Sequence, residues 1–156
     1  MDFFNQTGKL AIGSRLRMLT DKITVDAAAI YKMFGVDLKP KWFPEFFVLS
    51  RGEAKTITTI AKEIGHSHPS VSNIIKEMVA KGLVKETKDK SDGRRNMVML
   101  SAKGKRMSDS FSEQCIDVTA AIEQITQQTR NDLWEAIEEW ENLLLDKSLL
   151  ERVKEA

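Results

Sequence analysis

Residues 60–105 read IAKEIGHSHPSVSNIIKEMVAKGLVKETKDKSDGRRNMVMLSAKGK, and the order of signals in this stretch decides the fold. Ile60, Ala61 and Ile64 are spaced as the inward face of a short helix over 58–64, which Gly65 breaks. Ser67 then caps a second helix, because its hydroxyl can accept from a first-turn N–H that has no backbone partner. Pro69 falls in that first turn, where a missing N–H costs nothing. The helix runs to about Lys81, with Gly82 as its left-handed stop. Two short helices about a glycine-containing turn make a helix-turn-helix. Strands follow at 83–88 and 96–100, and between them Asp92-Gly93 is a hairpin signal in a polar tip over 89–94. Ser101 caps the next helix.

The second of the two short helices has two chemically distinct faces. Val71, Ile74, Ile75 and Met78 are apolar and have to be buried, whereas His68, Pro69, Ser72, Asn73 and Lys76 occupy the opposite stripe. A helix that enters a DNA major groove needs this arrangement. Short side chains let the backbone approach base edges, Asn can bond adenine through two hydrogen bonds, and Lys meets phosphate. The helix N-terminus adds partial positive charge.

Outward from this segment the chain is helical. Leu16, Leu19, Ile23, Ala27, Ile30 and Phe34 recur at steps of three and four, predicting a helix over 10–34 that Gly35 and Pro40 end. A short helix over 42–50 carries Trp42, Phe43, Phe46, Phe47 and Leu49, and Arg51-Gly52-Glu53 reads as a turn. After Ser101, the residues Met107, Phe111, Cys115, Val118, Ile122 and Ile125 mark a long helix. Thr129 with Asp132 starts a last helix through Leu133, Ile137, Trp140 and Leu144. Trp134, Leu143, Leu145, Leu149, Leu150 and Val153 widen its apolar surface, so it is expected to pack on several others. No Pro/Gly-rich linker divides the chain, which is read as one mainly α-helical domain over 1–156 with a small β-hairpin.

Composition narrows the function classes. Of 156 residues, 42% are hydrophobic and 30% charged, with a net charge of +1, which suits a folded soluble chain. A single cysteine excludes an internal disulfide framework and suits a reducing cytoplasm. No apolar run reaches bilayer length, and the first residues lack the basic-then-apolar order of a signal peptide, so no membrane partner is expected. The near-neutral total hides an asymmetry. Residues 85–106 hold eight Lys/Arg against three Asp/Glu, and residues 107–156 hold four against twelve. A concentrated basic stretch is compatible with a polyanionic partner even at low net charge.

At these residues the sequence resembles the winged helix-turn-helix core of the multiple antibiotic resistance regulator (MarR) family. The resemblance rests on Ile60-Ala61, Ile64-Gly65, Ser67, Pro69-Ser70-Val71-Ser72, Ile75, Met78 and Gly82-Leu83-Val84. It continues through the wing signature Asp92-Gly93-Arg94 and the strand end Leu100-Ser101-Ala102-Lys103-Gly104. It implies a winged helix-turn-helix over about 42–104, with helices over about 5–35 and 105–156 interlocking into a homodimer. It further implies a ligand-responsive repressor that binds a pseudo-palindromic operator in double-stranded DNA. Carried over residue by residue, Ser67, His68, Ser70, Ser72 and Asn73 face bases or nearby phosphates, with Pro69 on the same face and Lys76 on the backbone. Arg94 reaches into a minor groove with Asp92 orienting its guanidinium, and Arg95 or Lys90 meets phosphate.

His66 and His68 are two apart with no third ligand nearby, so ordinary turn and helix-start roles outweigh metal, and no metal or cofactor is expected. Cys115 lies in register with Phe111 and Val118, which favours a buried inert thiol over a redox sensor. Trp42, Phe46 and Tyr31 are candidates to line a pocket for a small aromatic or anionic effector, against the plainer reading of core. No nucleophile–base arrangement or phosphate-cradling glycine loop is present, so no enzyme activity is expected. Trp42-Phe43-Pro44 and the run from His66 to Ser70 resemble a MarR subgroup sometimes fused to an acetyltransferase domain. The chain ends at Ala156, which leaves a regulatory partner of an acetyltransferase on another chain as one alternative. A winged-helix protein–protein module is the other; Arg94 and Arg95 favour DNA.

Overall fold

The structure, a computed structural model, describes residues 2–89 and 91–155. The chain forms two compact units, one up to Gln114 and one from Cys115 onward, and the division falls within helix α6 (Ala102–Gln128).

The first unit opens with α1 (Asp2–Thr7), a 3₁₀ turn (Gly8–Ala11) and α2 (Ile12–Met33). Gly35, at φ +68°, ends α2: its N–H reaches the Lys32 carbonyl, and the Val36 N–H reaches that of Tyr31. Tyr31 and Val36 are both buried, so the stop is also a packing contact. A second 3₁₀ turn (Pro40–Trp42) leads into α3 (Phe43–Ser50), followed by α4 (Ile57–Ile64) and α5 (His68–Ala80). Strands β1 (Val84–Lys88) and β2 (Asn96–Leu100) pair antiparallel, from Val84 opposite Leu100 to Lys88 opposite Asn96. Lys55 bridges the free edge of β2 through two backbone hydrogen bonds with Val98, at 2.9 and 2.7 Å.

The core of this unit gathers Trp42, Phe46, Leu49, Ile60, Val71, Ile75, Met78, Leu83, Val98 and Phe111. Phe46 meets Phe111 edge-to-face at 4.9 Å, a geometry that the ring quadrupoles favour. By contrast, Leu16, Leu19 and Ile23 on α2 stay exposed despite their regular spacing.

The second unit contains the remainder of α6, then α7 (Leu133–Asp146) and α8 (Leu149–Lys154). The single last helix expected from sequence is in fact these two. Lys147 turns extended, and Ser148 and Glu151 form a reciprocal capping box that starts α8 afresh. Arg152 closes the joint by donating to the carbonyls of Leu143 and Lys147 at the end of α7. Asp132 alone caps α7, through the N–H groups of Trp134 and Glu135; Thr129 bonds the carbonyls of Thr126 and Asn131 instead. The expected burial of the last helix is not found: among the described residues of α7 and α8 none is buried. Among the described residues no helix is long and apolar enough to cross a membrane.

Candidate nucleic-acid interface

Local chemistry sets the helix-turn-helix. Thr56 caps α4 by accepting from the Thr59 N–H at 3.1 Å, and Gly65 ends it at φ +69°. Ser67 caps α5 by accepting from the Ser70 N–H at 3.4 Å. Val71, Ile75 and Met78 are fully buried, as their spacing requires. Ile74 is only half-buried, a correction to the expected apolar face: it sits at the edge of the helix and lines a groove. At the far end Gly82 bonds back to the Val79 carbonyl and Leu83 to that of Met78, which joins α5 to the hairpin through two buried side chains.

The outer face of α5 is open. Ser67, His68, Pro69, Ser70, Asn73 and Lys76 are exposed, and Ser72 is half-buried. His68 and Arg95 line one groove of about 540 Å³ with Thr56, Ile57, Thr58, Thr59 and Asn96. The starts of α4 and α5 and the loop end of the hairpin therefore converge, although Thr56 and Asn96 lie 40 residues apart along the chain. Thr56, Thr58, Thr59 and Asn96 were not singled out in the sequence, where the only signal was a threonine three residues ahead of another at a helix start. Ser70 and Asn73 line a second groove of about 680 Å³ that also holds Lys41, Phe43, His66 and Glu77.

The hairpin tip differs from expectation. Asp92-Gly93 does not make a tight two-residue turn: Gly93 lacks a positive φ, and the Asp89 N–H bonds the Arg95 carbonyl across a longer loop. The Asp89 carboxylate organises that loop by accepting from the Ser91 hydroxyl and N–H and from the Asp92 N–H, with the Ser91 hydroxyl foremost in holding the carboxyl below its ordinary value. Asp92 does not orient the Arg94 guanidinium. One of its oxygens accepts from the Arg94 backbone N–H at 3.1 Å and the other pairs with Arg95 Nε at 3.4 Å. Arg94 is exposed and in no ion pair among the described residues, and Lys90 lies outside them.

The effector-pocket candidates are core. Trp42 is 1% exposed and donates from Nε1 to Glu77 at 2.9 Å; Phe46 packs on Phe111; Tyr31 is buried at the end of α2. Neither groove described above is lined by any of the three. Cys115 is half-buried, and burial pushes its thiol above the ordinary value. No group of three His, Cys, Asp or Glu among the described residues could hold a metal ion.

Glu77 on α5 is a hub that sequence reading missed. Lys41 Nζ lies 2.6 Å away and Lys39 Nζ 3.5 Å, in addition to the Trp42 bond. The hydrogen bond from Lys41, then that from Trp42, holds its carboxyl below the ordinary value. A carboxyl lowered in the folded state contributes stability that is present above its unfolded value and lost as pH falls through the folded one. Acidification through and below the ordinary carboxylate range should therefore destabilise the wild type more than Glu77→Gln, measured by urea midpoints across pH.

Comparison with known proteins adds two findings. The sequence profile of the MarR family matches residues 36–95, whereas no curated protein matches the chain. Solved structures share the fold. The transcriptional repressor CouR, bound to a 23-mer DNA duplex, is 20% identical with a TM-score of 0.65, covering 89% of this chain and 96% of its own. The PcaV transcriptional regulator from Streptomyces coelicolor, in complex with its natural ligand, is 14% identical with a TM-score of 0.62, covering 87% and 92%. The MepR–DNA complex from S. aureus is 21% identical with a TM-score of 0.53, covering 81% and 98%. Over residues 36–95 the chain thus matches the MarR family, and its fold, mostly helical with a two-stranded hairpin, is that of these solved regulators.

Proposed function

We propose that this chain is a MarR-family transcriptional regulator, a homodimeric, ligand-responsive repressor acting in the cytoplasm on a pseudo-palindromic operator. The observation that carries the reading is the open face of α5, from Ser67 to Lys76, set beside a hairpin whose Arg94 is exposed and unpaired among the described residues. Ser67, His68, Pro69, Ser70, Ser72 and Asn73 read or approach base edges, Lys76 meets the backbone, and Arg94 enters a minor groove. Arg95, held by Asp92, and Lys90 meet phosphate.

Two further observations support it. The CouR and MepR structures hold DNA on the same fold. Most of the exposed large apolar residues fall on the two ends of the chain, among them Leu16, Leu19 and Ile23 on α2 and Ile137, Trp140 and Leu144 on α7. Such faces need a cover, and a second copy supplies one, with helices over about 5–35 and 105–156 forming the dimer. A two-fold dimer places two copies of α5 about one duplex turn apart. A small aromatic or anionic effector that prefers a dimer with misplaced reading helices lowers DNA affinity by its differential binding. The PcaV structure, solved with its natural ligand, accords with such a response. No enzymatic role is proposed.

The test is selection of bound fragments from random duplex DNA, with enrichment of paired half-sites expected and no enrichment overturning the reading. On the selected duplex, Arg94→Ala should weaken binding by roughly 1–3 kcal/mol with the dimer intact in sedimentation, and Asn73→Ala should relax base preference at one or two positions. Binding should weaken steeply with added salt as counterions return to the phosphates. A flat salt response would remove the basic tip from the interface.

A further inference from the structure

We infer that Glu45 is a positioning residue for the reading helix, acting through His66 in the turn that joins α4 to α5. The inference rests on α5 reading DNA and adds a residue on a different helix, behind the interface.

Glu45 is the third residue of α3, where a carboxylate near a helix start is normally solvated. Here it is 0% exposed, and neither oxygen has a hydrogen-bond partner among the described residues. His66 Nδ1 is 3.6 Å from Oε1, the one basic group within ion-pair reach among the described residues. A buried carboxylate without a partner is costly, so once Glu45 is ionised α3 and the turn pack stably only while the pair is closed. His66 is also fixed from the other side, its N–H bonding the Ala61 carbonyl. The next residue is Ser67, the cap of α5, and His66 lines the same groove as Ser70 and Asn73. The seat of His66 on Glu45 therefore sets where α5 begins and how its reading residues are turned.

Burial pushes the Glu45 carboxyl above its ordinary value, against the pull of His66. A carboxyl raised in the docked state favours docking at lower pH and opposes it as pH climbs through the raised value. Neighbouring charges are otherwise engaged or distant from the pair. The 3₁₀ turn brings Lys41, and α5 brings Glu77, which bond each other. Helix α4 brings Glu63, held by Lys55, and exposed Lys62; α5 further brings exposed His68 and Lys76; strand β2 brings no titratable group.

The experiment uses the full chain as wild type, Glu45→Gln, His66→Gln and the double variant. In the free protein, the carbon-13 carboxyl signal of Glu45 should titrate above the ordinary glutamate range and move higher in His66→Gln. Affinity for the selected duplex, at a temperature where every variant is folded and at a pH above the Glu45 titration, should fall about tenfold in His66→Gln, which leaves the buried carboxylate unpaired, and return to the Glu45→Gln level in the double variant. Wild-type affinity should decline as pH rises through the Glu45 titration, and that decline should be absent in Glu45→Gln. A purely structural role would lower the denaturation midpoint and leave the pH profile of binding unmoved. The inference is overturned if Glu45 titrates in the ordinary range, if the His66→Gln loss persists in the double variant, or if Glu45→Gln binds like wild type at every pH. Should Glu45→Gln not fold, His66→Gln with the Glu45 titration carries the same test. A wild-type chain that retains no duplex overturns the DNA reading and this role together; a wild-type chain that binds while Glu45→Gln matches it overturns this role alone.

Discussion

Gly104→Ala is expected to destabilise the protein by about 3 kcal/mol or more, at the upper end of what overpacking costs. Helix propensity argues for the opposite sign, because Ala is favoured over Gly within a helix by roughly 1 kcal/mol. The surroundings of Gly104 decide. A Cβ at this position would lie 2.1 Å from the Leu83 carbonyl oxygen and 3.3 Å from a methyl group of Leu100. The obstructing atom is backbone, so no rotamer change relieves the clash. Nor can that carbonyl retreat freely, since it accepts from the Ser101 N–H at 2.9 Å and belongs to Leu83, whose side chain is buried. Ser101 itself bridges both sides, accepting from the Gly104 N–H and donating to the Gly82 carbonyl. The glycine lets the first turn of α6 lie directly on the backbone that leaves α5. Urea denaturation followed by circular dichroism checks this, with Gly93→Ala as control. Gly93 has no positive φ and no heavy atom within 4 Å of its added Cβ, so its substitution should be close to neutral. A Gly104→Ala protein as stable as wild type would show that the first turn of α6 does not lie on the Leu83 backbone as described.

Trp42→Ala should cost about 3–5 kcal/mol, the range for deleting a fully buried aromatic side chain. Two losses combine. The indole leaves a cavity between the 3₁₀ turn and its neighbours, and Glu77 loses the N–H that holds one of its oxygens. Lys39, whose ammonium lies 5.0 Å from the centre of the indole ring, loses that contact as well. Trp42→Phe separates the effects, since it retains most of the bulk and removes only the hydrogen bond; about 1–2 kcal/mol is expected, as for a hydrogen bond to a charged group. Both values follow from denaturation midpoints. An effector-lining tryptophan would behave differently, leaving stability nearly intact on truncation and altering only the response to ligand.

These two positions mark the boundary between what local sequence signals carry and what packing adds. Gly65 and Gly82 stand at positive φ, Ser67 caps the helix between them, and the strands pair one residue from the expected start. Each depends on residues within a turn or two of chain, where capping, left-handed stops and apolar period act. The division of the last helix was equally local in cause, since Ser148 and Glu151 form a capping box, but a continuous apolar stripe across the joint masked it. The hairpin tip was misread because Asp-Gly is a signal only when the loop is two residues long, and the register from Lys88 to Asn96 leaves a longer one.

By itself, the amino-acid order determined the two short helices about their glycine, the polar stripe from His68 to Lys76, and the basic hairpin, because hydrogen-bond caps and side-chain periodicity are properties of neighbours in the chain. Tertiary structure alone decided that Trp42, Phe46 and Tyr31 are core, that Asp92 pairs with Arg95, that His68 and Arg95 share a groove, and that His66 rests on a buried Glu45. Each of those facts is a meeting of side chains or elements in space. Burial, charge pairing and steric room depend on those meetings, and no local period or spacing encodes them.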